Sequence, residues 1–537
     1  MLFNSPEFIG VFLPLTLLGF FVLGRRRPEW GMGWLVLASL FFYGWWKIEY
    51  VPVLVGSVVA NYAIGSRLCR RPSRALLALG VAGNLGLLVV FKYSFFLTET
   101  IGSALSMPIG WMQLALPLGI SFFTFQQIAF LVDAQQGRVE RVRWVEYGLF
   151  VTFFPQLIAG PIVHHREMMP QFQRRETFRP KPAPLVEGFT FFLIGLFKKV
   201  VLADGLFAPR ADRVFDGAAA GEPILMVAAW IGAGAYVLQL YFDFSGYSDM
   251  AIGLGRMCSI RLPVNFDSPY KAHSLVEFWQ RWHISLTRFF TSYLFNPMVL
   301  AITRRRVAAG KPVFRLKVPA AGPFLASFAA PAALTMFLIG IWHGAGWQFV
   351  VFGAIHAVAL VANHAWRALH RGSPWPGDGL LAAAGGTALT LLVWTLSLVF
   401  FRAESVPHAL SVLAGMSGAH GLTLPEALRP LLAGAFAAGG WLAFGPDVIR
   451  AQSALWVVGG FAACWLLPNS QQWMGYAERA PVRAHDPAPP AALGWLPPSL
   501  RQWSPTPLHG ALLGGAVLLV LAQYASEAPS RFLYFNF

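Results

Sequence analysis

His343 closes a 20-residue apolar run and opens the sequence Trp342-His343-Gly344-Ala345-Gly346-Trp347. Two glycines so close together weaken a helix and let backbone or ligand approach closely. Desolvation favours the neutral imidazole, the form competent as a general base. A second histidine, His283, sits in Glu277-Phe278-Trp279-Gln280-Arg281-Trp282-His283-Ile284-Ser285. On a helix Glu277 and Arg281 would pair at i,i+4, and Trp279 and His283 share that spacing. A third cluster, Tyr241-Phe242-Asp243-Phe244-Ser245-Gly246-Tyr247-Ser248-Asp249, follows an apolar span. Its aspartates need cationic partners if buried, and Arg256, Arg261 and Lys271 are candidates. The fourth is Lys198-Lys199, which would snorkel to headgroups or receive an anionic donor such as a CoA phosphate. His356, His364 and His370 read as core, interface and loop residues. Each cluster also has a purely structural reading, a polar knot or a hydrogen bond between helices, and the residues alone leave both open.

Familiar catalytic signatures do not occur. There is no GxxxxGK[ST] phosphate loop, GxGxxG turn, GxSxG elbow or HExxH zinc pair, and no histidine has an aspartate five residues on. Cys69, Cys258 and Cys464 stand far apart, so neither a disulfide framework nor a metal site is expected. Chemistry must come from ionisable residues at membrane depth, where their cost makes each a functional candidate.

The elements that carry these residues follow from composition. Of 537 residues 56% are hydrophobic and 12% charged, against about 25% charged in a soluble domain. Mean hydropathy is +0.55. Soluble, disordered, fibrous and disulfide-scaffold classes are excluded. The chain reads as an all-α polytopic membrane protein of about 11–13 transmembrane helices. Apolar runs fall at 8–23, 31–47, 51–66, 75–97, 114–132, 185–204, 223–242, 324–343, 347–366, 379–401, 428–446, 451–467 and 509–526. The interrupted stretches 146–163 and 276–300 read as re-entrant segments. Such backbone is tolerated only inside protein or beside a wet cavity, so a central tunnel or funnel is implied.

The net charge of +16 reflects the positive-inside bias, with basic residues scattered between apolar spans, and no nucleic-acid partner is expected. Arg25–Arg27, Arg67–Arg74 and Arg138–Arg143 lie on alternate loops, whereas the first seven residues carry no Lys or Arg. This predicts a cytoplasmic (inner) membrane protein with a periplasmic N-terminus and a retained first span. Residues 1–537 form one integrated domain, with a Pro-rich extracytoplasmic loop at 478–508.

Taken together, these segments resemble the membrane-bound O-acyltransferase superfamily, in its bacterial alginate O-acetyltransferase-like branch. The resemblance rests on Pro117–Gln126, Phe154–Ile162, Gly195–Lys199, Phe242–Gly253, Trp279–Leu286, Trp342–Trp347, Phe401–Ala403, Pro468–Gln472 and Phe532–Phe537, in that order. It implies a helical fold with a tunnel, and transfer of an acetyl group from a cytoplasmic thioester, acetyl-CoA, to a hydroxyl acceptor across the membrane. His343 matches the superfamily's catalytic histidine and His283 its second motif position. Asp243, Ser245, Tyr247, Asp249, Glu277, Trp279, Arg281, Trp342, Trp347, Lys198 and Lys199 are expected to support or bind substrate. No bound cofactor or metal is expected. The implied partners are acetyl-CoA, membrane lipid, and a periplasmic acetyl-carrier or acetyltransferase protein or a polysaccharide such as an exopolysaccharide. One departure from the alginate-type pattern is the sequence Ser292-Tyr293-Leu294-Phe295-Asn296-Pro297-Met298-Val299, which lacks that branch's acidic residue and paired glycines. Acylation of a protein or lipid by the same chemistry is an alternative. A transporter or channel using His343, Asp243 and Asp249 as a relay is another. A covalent acyl-enzyme would draw on Ser245 or Ser285.

Overall fold

The computed structural model describes residues 1–106, 114–139, 143–314, 320–370, 379–424, 442–444, 451–476, 497, 501–526 and 532–533. Among them, eight helices are long and apolar enough to cross a membrane: Phe8–Arg26, Ile48–Arg70, Arg74–Leu105, Met226–Met257, Ala321–His343, Trp347–Leu369, Leu380–Arg402 and Pro507–Ser526. Most of the remaining expected runs are also helical. Pro28–Gly44 and Ala451–Leu466 are shorter helices, and Pro182–Phe197 continues into a wider π-turn region, Lys198–Phe207. Run 114–132 starts extended and becomes helical only at Ile120–Gln135, after Gly119 takes a left-handed φ of 67°. A side chain on Gly119 would strike the Leu157 carbonyl, so glycine is required there.

The expected span 428–446 differs where it is described. Leu442–Phe444 is a strand that pairs in parallel with Leu422–Leu424. Gly439-Gly440 and Gly445-Pro446 bracket it, and both dipeptides disfavour helix. Most of the Pro-rich segment 478–508 lies outside the described residues.

We label the helices that build the site α1 (Arg74–Leu105), α2 (Ile120–Gln135), α3 (Pro182–Phe197), α4 (Met226–Met257), α5 (Ala321–His343), α6 (Trp347–Leu369) and α7 (Leu380–Arg402). Helix α4 is the axis of the molecule. Protein buries 78% of its most apolar stretch, against 11% for the peripheral Pro507–Ser526. Its partner α3 lies against it at backbone distance. A methyl group on Gly188 would stand 2.6 Å from the Gly253 carbonyl oxygen, and one on Gly246 2.7 Å from that of Gly195. Small residues at such spacing let membrane helices touch through their backbones.

Both segments read as re-entrant are broken helices, the first enclosed by protein and the second buried only as far as Phe290. Trp144–Thr152 turns at Phe153 into the single-turn helix Phe154–Leu157, and the stretch from Tyr147 to Val163 is buried throughout. Leu275–Arg281 stops at Trp282, and the helix resumes at Ile284 after His283 takes the left-handed conformation, φ 43°.

Candidate active site

The two histidines meet around one indole. Trp342 lies 4.8 Å from His343 and 6.3 Å from His283, ring centre to ring centre. His283 is fully buried, edge-on to Phe244 of α4 at 4.8 Å and stacked toward Phe122 of α2 at 6.5 Å. His343 is also buried, edge-on to Phe401 of α7 at 5.1 Å and Phe352 of α6 at 5.8 Å. The last residue of α5 is therefore His343 itself, because Gly344 is extended and ends the helix. Gly340 of α5 packs backbone to backbone on Gly353 of α6, which fixes the hairpin that carries the histidine.

Two cavities reach this point. One of about 40 Å³ is lined by Gly119, Phe122, Ile158, Trp342, His343 and Lys92. The other is wide and open, about 1330 Å³, and takes in Lys92, Gln239, Gly344, Phe349, Phe401 and Arg402. Lys92 and Leu116 line both. The wide cavity opens at the ends of α1 and α5 that lie furthest from the arginine-rich loops preceding them.

The aspartates find cations other than those expected. Lys199 is 1% exposed and donates to Asp243 at 2.6 Å and Asp204 at 2.8 Å. Lys198 donates to Asp249 at 2.7 Å and Ser470 at 3.1 Å, and Asp249 also accepts from Ser470 and Gln471. The two lysines thus neutralise α4 from α3 instead of snorkelling to headgroups. The glycine contact explains this, because it brings the end of α3 within side-chain reach of α4. The cations expected in that role lie elsewhere: Arg256 pairs with Glu187 at 2.6 Å, Lys271 donates to the Leu467 carbonyl at 2.9 Å, and Arg261 is exposed. The Leu533 N–H donates to the free Asp243 oxygen at 3.2 Å, and Phe532 packs edge-on to Tyr247 at 4.1 Å.

Glu277 and Arg281 do pair at i,i+4, 2.9 Å apart, and Arg281 also reaches Asp267. They stand six and two residues before His283, on the short helix that precedes it, outside the two cavities. Trp279 packs on His356 at 5.2 Å, and His356 bonds Ser397 at 2.9 Å. Trp347 is 56% exposed and contacts Phe96. Ser285 donates to Asn265 at 2.6 Å and accepts from the Ile162 N–H at 2.9 Å, so its hydroxyl is committed. Ser245 is buried on α4.

Two groups of polar residues went unmarked in the sequence. Lys92 lies inside the run 75–97, and a lone lysine in an apolar span was itself the signal. Asp133 is buried, accepts from Tyr293 at 2.8 Å and lies 3.5 Å from His165, while Tyr293 bonds His164 at 3.1 Å. No local spacing joins those four residues.

Residues 76–310 match the membrane-bound O-acyltransferase family. The chain is 40% identical to the peptidoglycan O-acetyltransferase of Helicobacter pylori over 79% of its own length and 81% of that protein. It is 35% identical to the probable alginate O-acetylase AlgI of Pseudomonas aeruginosa over 76% and 73% of the two chains. A teichoic acid D-alanyltransferase of Streptococcus thermophilus is 27% identical over 46% and 57%. The chain belongs to the membrane-bound O-acyltransferase family and is a multi-pass membrane enzyme that transfers an acyl group to a hydroxyl oxygen.

Proposed function

We propose that the enzyme moves an acetyl group from cytoplasmic acetyl-CoA, across the inner membrane, to a hydroxyl of an extracytoplasmic polysaccharide or of a periplasmic protein that carries the acetyl group onward. The observation that carries this reading is His343, which lines the narrow cavity while the adjoining Gly344 lines the wide one, with His283 on the same indole. The relatives' names supply two acceptors, alginate and peptidoglycan, and both are sugars with free hydroxyls. The charge distribution supports the direction of transfer. Arginines crowd the loops at one end, which the positive-inside rule assigns to the cytoplasm, and the wide cavity opens at the other.

The chemistry then needs a base, an oxyanion site and a shared orientation. His343 takes the proton of the attacking hydroxyl. The oxygen adds to the thioester carbonyl, the tetrahedral oxyanion collapses, the C–S bond breaks, and the CoA thiolate recovers the proton from His343. His283 and the indole N–H of Trp342 are the side-chain donors for the oxyanion. The Trp342 N–H is buried and has no partner among the described residues. The Gly344 N–H already bonds the Ile341 carbonyl at 3.2 Å and is not available for that task. Direct transfer is preferred to a seryl intermediate because the Ser285 hydroxyl is held on both sides and neither Ser285 nor Ser245 lines either cavity. A proton or ion relay loses its appeal because Lys198 and Lys199 neutralise Asp249 and Asp243 in place.

The test is purified protein in nanodiscs, given acetyl-CoA labelled in the acetyl group and a periplasmic extract as acceptor. Wild type is expected to release CoA and transfer label, and folded His343→Ala to do neither, since general-base work alone is worth about 10²–10⁴ in rate. Label transfer by His343→Ala at the wild-type rate would overturn the assignment.

A further inference from the structure

We infer that Lys92 and Tyr93 are positioning residues for His343: together they hold the end of the helix from which the histidine projects. This rests on the reading of His343 as the base. Helix α1 is α-helical except for one π-turn, Val89–Tyr93, and Lys92 and Tyr93 are its last two residues. It is one of five π stretches among the described residues, and the one that supplies a residue, Lys92, to both cavities.

The two side chains reach the same place. The Tyr93 hydroxyl donates to the Ile341 carbonyl at 3.0 Å. The Lys92 ammonium donates to the Trp342 carbonyl and lies 5.5 Å from the centre of the Trp342 ring. A helix leaves its last carbonyls without intrahelical donors, and α5 is cut off at His343 by the extended Gly344. The Ile341 carbonyl already accepts from the Gly344 N–H at 3.2 Å, so Tyr93 adds a second donor there, while Lys92 supplies the partner that the Trp342 carbonyl needs in a low-dielectric interior, where a cation suits the negative end of the helix dipole. Only one helix, α1, supplies both donors, on the two carbonyls immediately before His343. Lys92 also lines both cavities. No carboxylate pairs with it among the described residues, unlike Lys198 and Lys199, so its charge is directed at the helix end and not at a counter-ion. The position of the imidazole relative to the two cavities is thereby set by a helix remote in sequence.

The experiment has two readouts on Lys92→Met, Lys92→Arg and Tyr93→Phe in nanodiscs. The first does not need turnover: hydrogen exchange of the peptide carrying Ile339–Gly344, with peptides of α4 as an internal control. Lys92→Met and Tyr93→Phe are each expected to speed exchange in that peptide by about tenfold with α4 unchanged, because a clamped helix end frays when released. The second readout is acetyl transfer. For Lys92→Met kcat should fall about a hundredfold with KM for acetyl-CoA near the wild-type value, the signature of a misplaced catalytic group. Lys92→Arg, which keeps a donor and a charge, should recover at least about tenfold of that loss, and Tyr93→Phe should lose less than Lys92→Met. Unchanged exchange in both Lys92→Met and Tyr93→Phe would overturn the clamp. So would a rise in KM at constant kcat, which would make Lys92 a donor-binding residue. If Lys92→Met does not fold, Tyr93→Phe and Lys92→Arg carry the comparison. Absence of acetyl transfer by wild type would count against the proposed function, while the exchange data would still decide the clamp.

Discussion

Replacing Trp342 with Phe separates two roles of one side chain. The ring that spaces His283 from His343 is largely kept, and only the buried N–H is lost. If that N–H meets the oxyanion, kcat should drop by about 10²–10³ with little change in KM, the cost of a single oxyanion donor. A fall below twofold would assign the polarising role to His283 alone. The paired lysines answer to stability instead. Lys199→Met leaves Asp243 and Asp204 facing each other without their cation, and breaking a buried pair in this way costs about 3–5 kcal/mol. Lys199→Met combined with Asp243→Asn should regain part of the lost thermal stability, read as the melting temperature in detergent. His164 adds a dependence on pH. Burial, with Arg288 close by, pushes it down to about 4. A histidine lowered from an ordinary value near 6.5 contributes fully to stability above pH 6.5 and loses that contribution as pH falls toward 4. Wild type should therefore melt progressively earlier from pH 7 to pH 5, and His164→Gln should flatten that slope. The ionisable residues themselves were legible, because a charge or imidazole inside an apolar run stands out. Their partners were not: Asp243 and Lys199 are 44 residues apart, and no local rule pairs them.

At the scale of elements, the glycines decide which charges meet. Gly188 and Gly195 of α3 touch Gly253 and Gly246 of α4 through their backbones, and that contact brings Lys198 and Lys199 to the aspartates. Gly246→Leu should force the helices apart at the level of both ion pairs. Overpacking of this kind costs about 1–3 kcal/mol or more, so folded yield and melting temperature should fall before any effect on the catalytic step is measured. Gly56, whose Cβ position is open, gives the control, and Gly56→Leu should be neutral. The broken helices were legible from Pro155, Gly160 and Pro161 in one case and from the charges around His283 in the other. The left-handed turn at His283 was not, because nothing in a single histidine announces a positive φ. The π-turn at Lys92 was equally silent, since the run 75–97 reads as an unbroken span.

At the scale of the molecule, the proposed transfer across the membrane depends on sidedness. The loops that begin α1 and α5 are basic, while the far ends of both helices border the wide cavity, whose mouth includes Glu404. Lys and Arg, not acidic residues, set orientation, and the proposed transfer requires the wide cavity to open outside the cytoplasm. Two exposed positions at opposite ends test this, Arg175 between Phe172 and Pro182, and Glu404 just after α7. In a variant with Cys69, Cys258 and Cys464 replaced by alanine, Glu404→Cys should react with a membrane-impermeant maleimide in intact spheroplasts. Arg175→Cys should react only after the membrane is opened. The reverse pattern would turn the molecule over and with it the proposed transfer, because the wide cavity would then open toward acetyl-CoA. The basic loops before α1 and α5 already pointed to one basic face. Which cavity sat on the other face depended on where α1 and α5 end relative to α6 and α7, and that is set by packing across the whole bundle.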